Sequence, residues 1–251
     1  MMTKKKNIVW IDVGTHFGQE LLATVGPSRL IFSVYLRRFL SAYILRRGHA
    51  YSMKSLREII SKRAQLNASA NIMTIAVEAN VHLFHKFVFK YCNMAFCLAL
   101  GRSREPKLTK LFLASGKKYG QGSTIFESKQ GTSSDEYVAT FLMDPAVFFN
   151  SLKIILDERF TDDNYKVILR LNCEGAEDEV IRDCRNVFGQ DLLLVAGSLK
   201  DVLEIKGERQ YVALNKYFNE NNIKFVPFSS LWDTWSSALD AIIESINKYQ
   251  H

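Results

Sequence analysis

Three polar clusters in this chain stand where residue type and spacing can support chemistry. The segment Asn7-Ile-Val-Trp-Ile-Asp-Val-Gly-Thr-His-Phe-Gly18 puts an acid and two glycines directly behind a short apolar run. Gly14 and Gly18 suit a tight turn, and a helix is predicted to start behind it, over 17–25. Backbone N–H groups and a helix dipole at such a turn face a polar or anionic ligand. Gly14 leaves room for that ligand to approach the chain, and Asp12 can bond its polar groups. The second cluster is Glu78 with Asn80, closing the run Asn71-Ile-Met-Thr-Ile-Ala-Val-Glu-Ala-Asn80. A carboxylate there can accept hydrogen bonds from both hydroxyls of a ribose. The third is Asn172, Glu174 and Glu177, behind Tyr165-Lys-Val-Ile-Leu-Arg-Leu-Asn172. Each cluster also has a plain reading: an ordinary βα turn, a surface-loop acid, and acids that favour a helix N-terminus. The glycine spacing is Gly-x-x-x-Gly, not the Gly-x-Gly-x-x-Gly of dinucleotide binders, which disfavours a nicotinamide cofactor.

The elements that must position these groups alternate between strand and helix. Strands are predicted at 8–13, 71–78, 110–115, 165–172 and 191–196, with an edge strand at 223–228 marked by Pro227, which cannot donate to a ladder. Helices are predicted over 29–47, 52–63, 81–100, 145–160, 175–187, 210–221 and 231–249, and a polar loop over 127–138. In the second of these helices, Met53, Leu56, Ile59 and Ile60 fall on one face. The alternation predicts an α/β fold: a Rossmann-like, doubly wound, mostly parallel sheet, with a helical insertion over about 27–68 after the first βα unit. A single domain spanning 1–251 accommodates it.

Composition narrows the classes. An apolar fraction of 47% is ample for a packed core. Cys92, Cys97, Cys173 and Cys184 show no Cys-x-x-Cys spacing and read as reduced thiols, so a cytoplasmic location is expected. His82 and His85 lie three apart without a third clustered ligand, so no metal site is expected. No stretch has the ~18 uncharged apolar residues of a membrane span. The net charge of +7 is concentrated: Gly26 to Leu66 holds nine Lys or Arg against one acid, Glu58. Arg37, Arg38, Arg46 and Arg47 lie there among Phe32, Tyr35, Phe39, Tyr43 and Tyr51. A solvated helical cap is one reading of that region. The other is contact with an anionic acceptor or with the anionic inner face of a membrane.

The motifs resemble those of the FkbM-type class I methyltransferases, which use S-adenosylmethionine. Ile11-Asp-Val-Gly-Thr-His-Phe-Gly18 is similar to that family's first motif, Val77-Glu-Ala-Asn80 to its second-strand element, and Leu169-Arg-Leu-Asn-Cys-Glu-Gly-Ala-Glu177 to its most specific motif. Leu111 to Ser115 with Gly122-Ser-Thr resembles its third strand and glycine-serine loop. The resemblance covers about 7–25 and 71–200. It departs from the family at Asn172, usually Asp, at Arg170, often Lys, at Ala79, usually Pro, and in the apolar strand 193–197. It implies a class I methyltransferase sheet and S-adenosylmethionine as cofactor, held by Asp12, Gly14, Thr15, His16, Phe17, Gly18, Glu78 and Asn80, with Ser115 beside the adenine. It places Asn172, Glu174 and Glu177 near a carbohydrate or glycolipid acceptor. With Asn at 172, Glu174 or His16 would serve as base, or none is used. On this reading Gly14→Val loses cofactor binding while staying folded. The alternatives are a degenerate fold binding an anionic partner such as nucleic acid or membrane, and an RNA or protein methyltransferase. No aromatic RNA-binding motif supports nucleic acid.

Overall fold

The computed structural model describes residues 5–16, 18, 21, 24, 26, 32, 36, 53–84, 90–115, 122–129, 131–161, 164–228 and 232–249. Strand β1 (Lys6–Val13) lies between β2 (Ala70–Val77) and β7 (Tyr165–Leu171), and every pairing in its sheet is parallel. The order is β3-β2-β1-β7-β8-β9, where β3 is Met94–Phe96, β8 is Leu192–Gly197 and β9 is Phe225–Pro227. The chain winds outwards from β1 in both directions, so the order reverses between β1 and β7. This is a Rossmann-like α/β arrangement. Val13 pairs with Val77 on one side and with Leu171 on the other. Three strands therefore end level, and Gly14, Glu78 and Asn172 leave the sheet side by side.

Alternation along β1 divides the core. Val9, Ile11 and Val13 join Val167 and Leu169 beneath α2 (Pro145–Arg159) and α3 (Glu177–Phe188). Ile8 and Trp10 join Ile168 beneath α1 (Met53–Ser69) and α6 (Trp232–Lys248). Both faces are covered, which is why the central strands read as unbroken apolar runs. Trp10 and Phe149 are fully buried; truncating such a side chain to Ala costs roughly 3–5 kcal/mol. Helix α2 starts where its sequence says it should. Asp144 accepts the Ala146 N–H at 3.0 Å, Pro145 occupies the first turn, and Arg159 sits in the last.

Several expectations need correction. The apolar stretch 81–100 is not one helix: it turns at 81–83, and then supplies β3 and the short β4 (Ala99–Leu100). Its apolar residues belong to half-buried and short edge strands, which apolar content alone cannot separate from a buried helix. The strand predicted at 110–115 exists as β5 (Lys107–Ala114), but in a second sheet of order β4-β6-β5, paired antiparallel with β6 (Thr132–Met143). Most of the polar segment predicted as loop is the start of β6, whose residues 134–137 face solvent. Helix α1 runs straight into β2 and buries Leu56, Ile59 and Leu66 against α6, so it is a crossover helix of the sheet. Ile60, expected on that face, is 39% exposed. Among its cations, Lys62 pairs with Asp240 at 2.6 Å, and buried Arg63 donates to the Thr24 and Gly26 carbonyls. Of the helix predicted at 29–47 only Phe32 and Leu36 are described, both helical and exposed; Arg37, Arg38, Arg46 and Arg47 lie outside the described residues. Two further helices, α4 (Lys200–Lys206) and α5 (Glu208–Glu220), precede β9. No described helix is long and apolar enough to cross a membrane.

Candidate functional site

The three level strand ends open into one pocket of about 40 Å³. Gly14 and His16 line it from β1, Glu78 and Ala79 from β2, and Asn172, Cys173 and Glu174 from β7. Leu98 to Leu100, Leu111 and Ser123 to Ile125 form the opposite wall, contributed by the second sheet. Thr140 of β6 fastens that sheet by donating to the Ala79 carbonyl at 2.8 Å.

The turn after β1 is held from both sides. Gly14 and Thr15 donate backbone N–H groups to the Val77 carbonyl, and the Asn172 N–H goes to the Val13 carbonyl. Gly14 has φ +76°, and a Cβ there would come within 1.9 Å of the Asn172 carbonyl oxygen. The glycine is thus required by β7 itself. Thr15 is fully buried, and its hydroxyl donates to the Asp12 carbonyl at 2.7 Å, which closes the turn.

Glu78 is 4% exposed, and its carboxylate is the turn's main acceptor: Oε2 takes the His16 N–H at 2.6 Å and Oε1 the Asn80 N–H at 2.8 Å. Burial pushes it up to about 7 against those two bonds, which pull it down. Glu177 is fully buried and also rises to about 7, through burial; its oxygens accept the Cys173 and Gly175 N–H groups at 3.2 and 2.8 Å.

These two carboxyls imply a pH dependence of stability. Their folded values lie above the ordinary 4.5, so the native protein holds protons that the unfolded chain releases between about 4.5 and 7. Their contribution is full below about 4.5, falls through that window, and is flat above it. Each amounts to about 3 kcal/mol at most. Urea denaturation from pH 5 to 8 should show a shallower decline for Glu177→Gln than for the wild type; parallel profiles would overturn this.

Two residues on the pocket adopt left-handed backbone without being glycine: His16 at φ +52° and Glu174 at φ +58°. Such conformations cost about 1–3 kcal/mol and gather at functional sites. The His16 ring Nε2 lies 3.5 Å from Asn172 Nδ2. Glu174 forms an ion pair with Lys129, which also meets Asp201 at 2.8 Å.

The expected site residues therefore divide. Gly14, His16, Glu78, Asn172 and Glu174 converge on the pocket. Asp12 does not: alternation turns it to the α1–α6 face, where it is buried and bonded to Arg170 Nη1 at 2.9 Å. Arg170 also donates to the Gly14 carbonyl at 3.0 Å and lies over the Phe228 ring. Thr15 and Glu177 spend their polar atoms on the two turns. Asn80 is buried and caps the next turn, accepting the His82 N–H at 3.0 Å. Gly18 has φ +69° and donates to the Thr15 carbonyl. Ser115 is exposed at the end of β5, away from the pocket lining. Phe17 lies outside the described residues. Sequence reasoning did not single out Lys129 or Asp201, and it met Thr124 and Arg170 only inside motifs, without a role; of these, Arg170, a cation inside an apolar strand, signalled that it needs a buried partner.

Fold and site together define a Rossmann-like α/β protein with a polar pocket at its topological switch point. No family model matches the chain, and no curated protein does. One solved structure that is similar is a probable phosphoserine phosphatase from Vibrio cholerae in unliganded form. It shares 11% identity over 98% of this chain and 68% of its own, with a TM-score of 0.34, too low to carry any argument.

Proposed function

We propose that this protein is a class I methyltransferase that uses S-adenosylmethionine and methylates a hydroxyl of a sugar in a glycan or glycolipid. One observation carries the reading: the Gly14 turn, the Glu78 carboxylate and the Asn172–Glu174 turn meet in one pocket at the switch point, where doubly wound sheets hold nucleotides. These are the three motifs whose sequences resemble the family. The donor set fits the cofactor. A carboxylate has about four lone-pair sites, and backbone N–H groups occupy two of those on Glu78, leaving two for ribose hydroxyls. The described walls enclose less than the several hundred Å³ that a whole ligand of this size needs, so they hold one end of it.

When bound, the cofactor supplies a methyl group on a positively charged sulfur. The chain's part is alignment and proton handling. Glu78, fixed by two N–H groups, orients the nucleoside end. Asn172 faces the reacting end and orients the His16 ring. Glu174 is committed to Lys129, so His16 would serve as proton acceptor, with its Nε2 released from Asn172 Nδ2 when the acceptor hydroxyl arrives. An acceptor oxygen held in line with the methyl group provides most of the rate gain.

Titration calorimetry with S-adenosylmethionine and S-adenosylhomocysteine tests the reading: micromolar binding is expected, and no binding of either would sink it. A silent binding module is the second reading, favoured by the small pocket, and the same null titration would support it. His16→Gly is expected to relieve the left-handed strain and raise stability by about 1 kcal/mol. It should also lower turnover at least 100-fold, the scale of a lost general base. Unchanged turnover in a folded His16→Gly protein would remove His16 from the chemistry.

A further inference from the structure

Residues 122–129 carry one wall of the pocket, and they are tied down in an unusual way. Thr124 bridges to Phe112 of β5 through two backbone hydrogen bonds, of 2.8 and 3.1 Å. Its hydroxyl donates to the Glu174 carbonyl at 2.6 Å. Five residues on, Lys129 reaches both Glu174 and Asp201, at the β7–α3 turn and the start of α4. All three of these charged side chains are 14% exposed or less. We propose that Lys129 is a positioning residue that clamps segment 122–129 against the β7–α3 turn, so that how long a ligand stays in the pocket depends on it.

The chemistry favours a clamp over a plain brace. A compact ammonium with three N–H donors can serve two carboxylates from different elements at once. Burying three charges is a costly way to fix a loop, and apolar residues of similar volume hold one as well or better. What an ionic clamp offers instead is two states: it can open to water, where each charge is solvated, and close again. The partner it grips, Glu174, is one of the two strained non-glycine residues on the pocket. The wall it moves, Ser123 to Ile125, lines the same pocket as Asn172 and His16, and Thr124 is bonded to the turn that carries Asn172 and Glu174. Opening would therefore widen the pocket at the wall formed by Ser123 to Ile125.

The inference rests on the methyltransferase reading only for its probe, S-adenosylhomocysteine. Two measurements test it: the dissociation rate of that probe by stopped flow, and hydrogen exchange at the Phe112 and Thr124 amides. Lys129→Met should raise the dissociation rate at least tenfold and speed exchange at those two amides at least tenfold, with β1 amides unchanged. Lys129→Arg should stay within threefold of the wild type on both. Thr124→Val keeps every charge and should give an intermediate effect, which guards against a Lys129→Met protein that fails to fold. Wild-type dissociation and exchange in folded Lys129→Met would overturn the clamp. So would exchange that rises equally at all amides, the mark of a brace alone. If the wild type binds no probe, the methyltransferase reading falls, and the exchange pattern still decides the clamp.

Discussion

Gly14→Ala is expected to yield a protein that unfolds at least ~4 kcal/mol more easily than the wild type, not a folded protein that merely fails to bind. A residue with a side chain at φ +76° already costs about 1–2 kcal/mol. The larger part is steric: the new Cβ would lie 1.9 Å from the Asn172 carbonyl oxygen and 2.5 Å from its carbon. Neither atom can rotate away freely, because their peptide plane is held at its other end by the Cys173 N–H donating to Glu177, and the preceding plane by the Asn172 N–H donating to the Val13 carbonyl. Relief requires β1 and β7 to part at their carboxyl ends, which breaks the core at its centre; losses of this size are rare and come from such named causes. Gly14→Val can only be worse. The expectation that it stays folded and loses the ligand is therefore withdrawn, since the glycine answers to the neighbouring strand before any ligand. Denaturant midpoints for Gly14→Ala decide the matter, and a wild-type midpoint would mean that β7 does not sit where it is described.

Glu78→Ala should be the most damaging side-chain change on the pocket. It strands two N–H groups, those of His16 and Asn80, in a site where Glu78 is 4% exposed. Each lost acceptor costs about 1–3 kcal/mol, so a loss of roughly 2–6 kcal/mol in stability is expected. Cofactor affinity should fall at least tenfold with it. Glu78→Gln keeps one acceptor and should lose about half as much. The wild-type carboxyl rises to about 7 through burial, so Gln imitates its neutral form at pH 5. As pH rises to 8 the wild type gives up stability and Gln does not, so Glu78→Gln should gain on the wild type across that range. Binding should move the other way, because only the ionised wild type offers a full carboxylate to ligand hydroxyls. Gaps that both stay constant from pH 5 to 8 would show that Glu78 does not titrate there.

How much could be read from the residues alone differs by element. Ile8–Val13, 71–78, 165–172 and 191–196 announce themselves because strands covered on both faces are nearly continuous apolar runs, interrupted within the buried stretches only by single groups such as Asp12, Thr74 and Arg170. The helices from 145 onward carry caps or clear one-sided patterning, and fall within a few residues of α2, α3, α5 and α6. The second sheet was hidden for two opposite reasons. The start of β6 exposes Ser134, Asp135 and Glu136 and so looks like loop; β3 and β4 are too short to show a period. For the site, strand ends pointed to Gly14, Glu78 and Asn172. Asp12 was misplaced because a carboxylate one residue earlier faces the other side of the sheet. Lys129 gave no signal: it stands in a polar stretch, and its partners are 45 and 72 residues away in sequence.

The placement of β1 sets a problem for the ribosome's product. Its five apolar residues in Ile8–Val13 are made long before one of the two strands that flank them, which begins only at Tyr165. At 5–20 residues per second, roughly 8–30 s pass before that partner is made. Through that interval Ile8–Val13 has at best one side paired, and a short, uncharged-but-for-Asp12, β-prone segment in that state is what seeds association between nascent chains. The buried acid that closes the run, together with the three lysines at 4–6 ahead of it, would then act as guards during synthesis.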